Sequence, residues 1–572
     1  MVPLNSKTDN VITTDVKREQ WGTHREFLLA CIGSAVGLGN AWRFPYLCYE
    51  NGGGAFLLPY IIMIFTCAIP LFFMEISFGQ FSSQGPITVW NFCPLFKGVG
   101  IGVVIVTTIL FIYYNVIISW SVYFMVKSLS FPTLPWTTCN NDWNTDYCFD
   151  DLFNTTRKFG HSSDSVRASE EFWTHAVHDL PSTIGEFGGF NWHLLACLVA
   201  SWIACYICIA KGVKSLGKVV YFTALFPYVL LIILFFRGIT LPGAWEGIKV
   251  YILPKFEDLL AIKPWRDATI QIFFSLGISL GTKLTLASYN DFHNNCYRDA
   301  IYVVIVNCGT SVFAGFAIFS ILGSMAYDSN QAIEEVVKSG TGLAFIAYPE
   351  ALARMPGSQV WSFLFFIMLF TLGLDSEFIL VETMVTATID VLPSKWRQWK
   401  PQITIATCCI GFLLSLIMVT KSGLYIFVLI DWYCAKFSAT IFAIIFTLAM
   451  SYVYGFRRFS NDIKVMIGYE PNLYWRVCLG AISPFILVMV TVSNFIFFTP
   501  AKYGDYIFPP LAQAIGWMIS ISSFVAVPAY MIYAVMFKTQ AGSVWERLVI
   551  LMKPSDEWGP RLMINRRDAG YL

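Results

Sequence analysis

Long apolar stretches recur along this chain at a length soluble folds seldom use, and they constrain its architecture before any single residue does. They fall near 26–49, 55–78, 99–128, 192–210, 218–239, 267–290, 300–327, 360–386, 402–420, 424–453, 475–499 and 512–537. A helix needs about 20 apolar residues to cross the hydrocarbon core of a bilayer. Inside lipid every backbone N–H and C=O must be satisfied within the protein, so runs of this length are read as helices. The expectation is an all-α membrane protein of about twelve transmembrane helices. Charge agrees, since 13% of the 572 residues are charged, against about 25% in soluble proteins. Lys and Arg total 38 and Asp and Glu 37. No basic excess is left to hold nucleic acid, and the lipid bilayer is the expected partner.

Residues 1–20 are polar and lack the apolar core of a signal peptide, so the N-terminus is expected in the cytosol. The third crossing then delivers the polar stretch 129–190 to the outside. That stretch carries Cys139, Cys148 and the sequon Asn154-Thr155-Thr156. A disulfide between the two cysteines and a glycan on Asn154 are expected. The short loops assigned to the cytosol hold Lys97, Lys211, Lys214, Lys218, Arg298, Lys395, Arg397, Lys400, Arg457, Arg458 and Lys464, as the positive-inside bias requires. The resulting divisions are a cytoplasmic segment 1–25, five helices over 26–240, five over 241–453, two over 454–537, and a cytoplasmic tail 538–572. The other cysteines, including the Cys205-x-x-Cys208 pair, sit in apolar runs and read as packing residues. The six histidines form no catalytic motif, and His175 and His178 read as solvated loop residues rather than a zinc pair. No enzyme activity is expected.

Two crossings are interrupted. The first reads Gly33-Ser34-Ala35-Val36-Gly37-Leu38-Gly39-Asn40 and the sixth Phe274-Ser275-Leu276-Gly277-Ile278-Ser279-Leu280-Gly281. Such backbone is tolerated at membrane depth only where it is buried in protein or lines a cavity. Breaks five helices apart point to inverted five-helix repeats with a midplane site between broken helices 1 and 6. Freed carbonyls, with Asn40, Ser275, Asn307, Ser311, Asp375 and Ser376 nearby in the spans, supply the oxygens a hard cation such as sodium takes. Asp375 is the sharpest of these, because a mid-bilayer carboxylate costs about 2.5 to 3.5 kcal/mol unless paired, protonated or bound to a cation. The amides from Gly37 to Gly39 face a half-helix N-terminus and suit a substrate carboxylate.

These residues resemble the neurotransmitter:sodium symporter family, whose fold is that of the bacterial leucine transporter. The resemblance rests on Gly37-Leu38-Gly39-Asn40-Ala41-Trp42-Arg43-Phe44-Pro45-Tyr46, Asn51-Gly52-Gly53-Gly54-Ala55-Phe56, Tyr113-Tyr114-Asn115, Ala287-Ser288-Tyr289-Asn290 and Leu372-Gly373-Leu374-Asp375-Ser376, and it runs from about Arg18 to the last crossing. It implies one sodium site at the Ala35 carbonyl, Asn40, Ser275 and Asn307. A second is implied at the carbonyls of Gly33, Val36 and Leu372 with Asp375 and Ser376. A chloride ion would be held by Tyr60, Gln271, Ser275, Asn307 and Ser311. Tyr114 is implied as the partner of the substrate carboxylate and Phe274 as an aromatic lid. The outer gate maps to Arg43 and Asp431, and the inner gate, in segment 1–25 and beyond, to Arg18, Trp21 and Asp390.

Gly37 stands where monoamine carriers of this family have an aspartate, which disfavours a dopamine-like substrate. Gly277 and Leu280 are similar to the GABA, betaine, taurine and creatine group, where glycine carriers have serine and tryptophan. By contrast, Ser83-Gln84-Gly85-Pro86 and Asp556-Glu557-Trp558-Gly559-Pro560 look like the glycine branch. The pocket positions set the main expectation: a sodium- and chloride-coupled symporter of a small GABA- or betaine-like zwitterion at the plasma membrane. Glycine is the alternative, as is a quaternary ammonium such as choline or acetylcholine. For the latter, Glu377 would hold the cationic end and Ser34, small where many relatives are large, would leave room for it. The blander reading of Glu377 is neutralisation by Lys283. An ion channel and a non-transporting receptor are remoter alternatives. The terminal Ala569-Gly570-Tyr571-Leu572 is a weak candidate for a peptide-binding groove.

Overall fold

The computed structural model describes residues 18–150, 155–156, 165–210, 212–329, 342–539 and 542–571. Among them, ten helices are long and apolar enough to cross a membrane unaided. These are Gly54–Ser82, Pro94–Lys127, Trp192–Ile209, Ser215–Ile239, Cys296–Asp328, Ser358–Val391, Lys395–Val419, Gly423–Ile467, Leu473–Ile496 and Pro510–Lys538. The first span is a bent pair, His24–Ala35 and Gly39–Glu50, turning by 47° at its break. The sixth consists of Ile262–Leu276 and Thr282–Ala287, each too short to cross alone. Among the described residues these make eleven candidate crossings, and the broken pair Ile262–Leu276 and Thr282–Ala287 is read as the sixth of twelve, with both breaks where the glycine pattern places them. The chain is a polytopic membrane protein.

Packing sorts the spans into an inner and an outer set. The third span (Pro94–Lys127) and the eighth (Ser358–Val391) pack on each other and bury most of their surface. Outer spans leave large apolar side chains such as Ile203, Phe236, Leu413, Phe485 and Met518 exposed, an arrangement stable only against lipid. Small residues allow close approach where spans cross. A Cβ built on Gly79 of the second span falls 2.3 Å from the Leu284 carbonyl in the sixth. This glycine holds the second span against the broken segment that forms the site.

The connections carry structure that apolar runs do not reveal. The tenth span continues past Gly455 as an amphipathic helix, Phe456–Ile467, burying Phe459, Ile463 and Met466. In the loop after the third span, Cys139 and Cys148 form the expected disulfide with Cα atoms 5.7 Å apart. Asn154 lies outside the described residues. Cys205 and Cys208 are free thiols in the core. His178 is not solvated as expected: it is fully buried, with its ring 4.4 Å from that of Trp173 and 5.2 Å from that of Trp120. Burial first, and neighbouring His193 second, push its pKa down to about 3, so it stays neutral at physiological pH. The tail also differs from expectation. The Tyr571 hydroxyl lies 2.6 Å from that of Tyr454 and donates to Asp462 at 3.3 Å. Ala569 and Tyr571 pack on the core, so this end is engaged within its own chain.

We predict that Gly79→Val lowers the thermal midpoint of the detergent-solubilised protein or prevents its recovery, because overpacking a tight contact costs about 1 to 3 kcal/mol or more. Gly309→Ala is the control, since nothing lies within 4 Å of a Cβ built there. It is expected to leave the midpoint unchanged or slightly raised, Ala being the better helix former by up to about 1 kcal/mol.

Candidate functional site

The first break forms because the helix ending at Ala35 leaves helical geometry at Val36 (φ −87°, ψ 83°). The Asn40 side-chain carbonyl then accepts the Gly37 amide at 3.1 Å and caps the half-helix that follows. In the second break Gly277, Ser279 and Gly281 all have φ between +62° and +72°. Glycine enters that left-handed region freely, whereas a serine there costs about 1 kcal/mol or more. Neighbouring spans compensate. Glu75 of the second span accepts the Ser279 amide at 2.6 Å, and Thr107 of the third donates to the Leu280 carbonyl at 2.8 Å. These side chains do for the broken backbone what an unbroken helix does for itself.

The two breaks face one another across a buried polar cluster. The Ser275 hydroxyl lies 3.4 Å from the Ala35 carbonyl, 3.2 Å from Asn40 Oδ1 and 3.1 Å from Asn307 Oδ1. Asn40 Nδ2 donates to Asn307 Oδ1 at 2.8 Å and to Ser311 Oγ at 2.7 Å. Gln271 Nε2 donates to the Gly39 carbonyl at 3.1 Å. Gln271 Oε1 is buried without a hydrogen-bond partner, and the buried Tyr60 hydroxyl lies beside Ser311 and Cys308. One side of this cluster offers carbonyl and hydroxyl oxygens, which suit a hard cation. The other offers hydroxyl and amide donors, which suit an anion.

Asp375 is a second centre. Both its oxygens are buried, no ion pair reaches them among the described residues, and the Thr223 hydroxyl lies nearby, while a Cβ built on Gly33 falls 2.7 Å from Oδ2. Any side chain at position 33 would collide with the carboxylate, so glycine is what lets it approach the main chain of the break. A buried carboxylate in that condition is poised for a cation. Val36 and Leu372 are buried on the same two segments. Ser376 Oγ and Tyr114 Oη both face Gly37, at 2.8 and 3.2 Å from a Cβ built there. Phe274 lies 3.1 Å from one built on Gly39. Ser34, Phe274 and Ser376 are partly accessible among buried neighbours. Leu38, Gly277 and Leu280 complete the residues gathered at the breaks.

The two expected gates differ in state. Arg18 binds Asp390 through both carboxylate oxygens, at 2.9 and 3.0 Å, and donates to Ser288 at 2.8 Å. Its guanidinium also stacks on Tyr289, and the Trp21 indole donates to the Leu286 carbonyl at 3.0 Å. These contacts tie the segment before the first span to the sixth and eighth. On the other side, no ion pair within 4 Å joins Arg43 to Asp431 among the described residues. Arg43 lies over the Phe274 ring at 4.5 Å, and Asp431 accepts from Tyr113 at 3.0 Å.

Two ionisable residues sit otherwise than expected. Lys283 does not meet Glu377. Its ammonium donates to Ser34, and its carboxylate neighbour is Glu75. The Glu377 carboxylate is fully buried without a hydrogen-bond partner, beside Cys205 and Cys408 on the fourth and ninth spans. Consecutive helix residues point about 100° apart; Ser376, rather than Glu377, is the residue turned to Gly37. Glu75 was not among the expected site residues, although a lone carboxylate inside the run 55–78 is the signal that identifies it.

The profile described as the Sodium:neurotransmitter symporter family matches residues 18–538. The chain is 46% identical over 569 residues to the "Sodium- and chloride-dependent glycine transporter 1" of Xenopus laevis, an alignment covering 96% of this chain and 90% of that protein. It is 41% identical over 579 residues to the "Sodium- and chloride-dependent glycine transporter 2" of the same organism, covering 96% of this chain and 73% of that one.

The inner ion pair generates a prediction. Cys31 is a buried free thiol on the half-helix between Arg18 and the break. In Asp390→Asn, a membrane-impermeant thiol reagent applied from the Arg18 face is expected to label Cys31 about 10- to 100-fold faster. That range corresponds to about 1.5 to 3 kcal/mol for a charged hydrogen-bonded pair. A Cys31→Ala background identifies the labelled thiol, and an unchanged rate would show that the pair does not hold this side shut.

Proposed function

Because the chain belongs to the sodium:neurotransmitter symporter family, we propose that it carries glycine or a similarly small amino acid across the plasma membrane, coupled to sodium and chloride, by alternating access. The observation that carries this reading is the pair of facing helix breaks with an unpaired carboxylate, Asp375, against the bared backbone at Gly33. A fold that buries such a group without an ion pair has left room for a cation.

On this reading the Ala35 carbonyl, Asn40, Ser275 and Asn307 hold one sodium ion. Asp375 and Ser376, with the carbonyls of Gly33, Val36 and Leu372, hold another. Tyr60, Gln271, Ser275, Asn307 and Ser311 hold chloride, whose charge offsets sodium in a low-dielectric site. The ions are co-substrates. The substrate carboxylate meets the Gly37–Gly39 amides and Tyr114, under Phe274 as lid. Arg18, Trp21 and Asp390 seal the cytosolic side while Arg43 and Asp431 are apart, and alternation exchanges these states. Both termini lie in the cytosol, and the loop bearing the Cys139–Cys148 disulfide lies outside.

Glycine replaces the GABA- or betaine-like substrate of the main expectation, which rested on Gly277 and Leu280. The two frog relatives, aligned over 96% of this chain, are named as glycine transporters. Gly277 also has φ +64° and caps the half-helix Ile262–Leu276, so backbone geometry accounts for its being glycine without reference to substrate size. The quaternary-ammonium alternative has no support from the surroundings of Glu377 described above.

We predict that oocytes expressing the chain accumulate labelled glycine only when both sodium and chloride are present, and that excess unlabelled glycine competes better than GABA, betaine or choline. Asp375→Ala is expected to reduce uptake to the level of uninjected cells while the protein still reaches the surface. Uptake that persists without sodium, or that survives this substitution, would refute the proposed coupling.

A further inference from the structure

Lys283 is a charged residue in the core of the sixth span, fully buried, and the proposed ion and substrate sites do not use it. Its position is unusual for a carrier that must gather cations. The ammonium donates to Ser34 Oγ, and Ser34 in turn donates to the Cys31 carbonyl at 3.1 Å. Ser34 lies between Gly33 and Ala35 in the chain, the two residues whose carbonyls belong to the two proposed sodium sites. Consecutive Cα atoms are 3.8 Å apart. The ammonium is therefore tethered, through Ser34, to the segment whose carbonyl groups sodium would use.

Glu75 does not cancel that charge by direct pairing. One of its oxygens is committed to the Ser279 amide at 2.6 Å and the other has no hydrogen-bond partner. The ammonium is turned instead to the first break. Like charges repel strongly at short range when no water or salt screens them. We infer that Lys283 is a built-in cation that opposes sodium binding at the first break and so sets the sodium concentration the carrier requires, with Glu75 partly offsetting it. This rests on the sodium reading proposed above.

The experiment compares the sodium concentration for half-maximal glycine uptake in the wild type, Lys283→Met, Lys283→Arg and Glu75→Gln. Lys283→Met keeps the length of the side chain and removes its charge, and is expected to lower that concentration by about three- to thirtyfold. Lys283→Arg keeps the charge and should stay near the wild type. Glu75→Gln removes the offsetting charge and should raise the requirement. Where a variant folds without transporting, sodium-dependent thermal stabilisation of the purified protein reads the same shift. An unchanged requirement in Lys283→Met overturns the inference, as does an equal shift in Lys283→Met and Lys283→Arg, which would mark a steric role. Failure of Lys283→Met, and of Lys283→Gln made in its place, to fold would likewise leave Lys283 a structural strut and overturn it. A wild type indifferent to sodium would instead refute the parent reading.

Discussion

Unsatisfied backbone in a medium without water is the constraint on which this structure turns. A continuous helix meets it silently. The first and sixth spans are broken, and side chains of the same span or of other spans complete them. Asn40 takes the Gly37 amide, Ser275 reaches the Ala35 carbonyl, Gln271 the Gly39 carbonyl, Glu75 the Ser279 amide and Thr107 the Leu280 carbonyl. Three of these residues, Asn40, Ser275 and Gln271, also belong to the proposed ion sites, so architecture and site share contacts. Removing any of them would disturb backbone and binding surface together, and a lost function there needs a separate measure of folding.

Much of this was legible in the sequence because the signals were strong and local. Apolar runs of about twenty residues admit few interpretations, and glycine clusters at corresponding places in the first and sixth mark the breaks. Asp375 announced itself as a charge where charge is costly. What escaped depended on direction. Lys283 and Glu377 lie at comparable depth and carry opposite signs, which suggested a pair. Only the fold shows one turned to Ser34 and the other toward Cys205 and Cys408. The helix Phe456–Ile467 escaped for another reason: it buries one stripe and exposes Arg457, Arg458 and Lys464, so its composition reads as a polar loop. His178 has a loop address and an aromatic core environment, a distinction carried by tertiary packing alone.

Substrate choice was the least legible feature. Gly277 and Leu280 were weighted as pocket residues, yet glycine at 277 answers first to the left-handed backbone that ends a half-helix. A residue favoured by the chain's own geometry is a poor reporter of cargo. The stretches Ser83-Gln84-Gly85-Pro86 and Asp556-Glu557-Trp558-Gly559-Pro560 pointed elsewhere, to the branch named by the whole-chain relatives. In the structure they touch: Gln84 Nε2 donates to the Glu557 carbonyl at 3.1 Å. Two peripheral segments that look independent in sequence form one contact, and their agreement is a single observation about packing rather than two about substrate.

The proposed cation centre and the proposed inner gate lie on the same pair of elements, which suggests how occupancy at one bears on the other. Asp375 and Asp390 are fifteen residues apart on the eighth span, about 22 Å along an α-helix. Their opposite numbers, Gly33 and Arg18, are fifteen residues apart at the start of the chain. The inner half of the first span is thus held to the eighth at two points. One is a bidentate ion pair with both side chains 12% exposed. The other, at Gly33, offers only an unpaired carboxylate against bare backbone. On the proposed reading a sodium ion supplies the missing attraction there. Its arrival then favours the arrangement in which the cytosolic side is shut, and its departure leaves the ion pair to hold that half-helix alone. Ion binding biases the gate by differential contact with two states of one interface, which is what coupling requires physically.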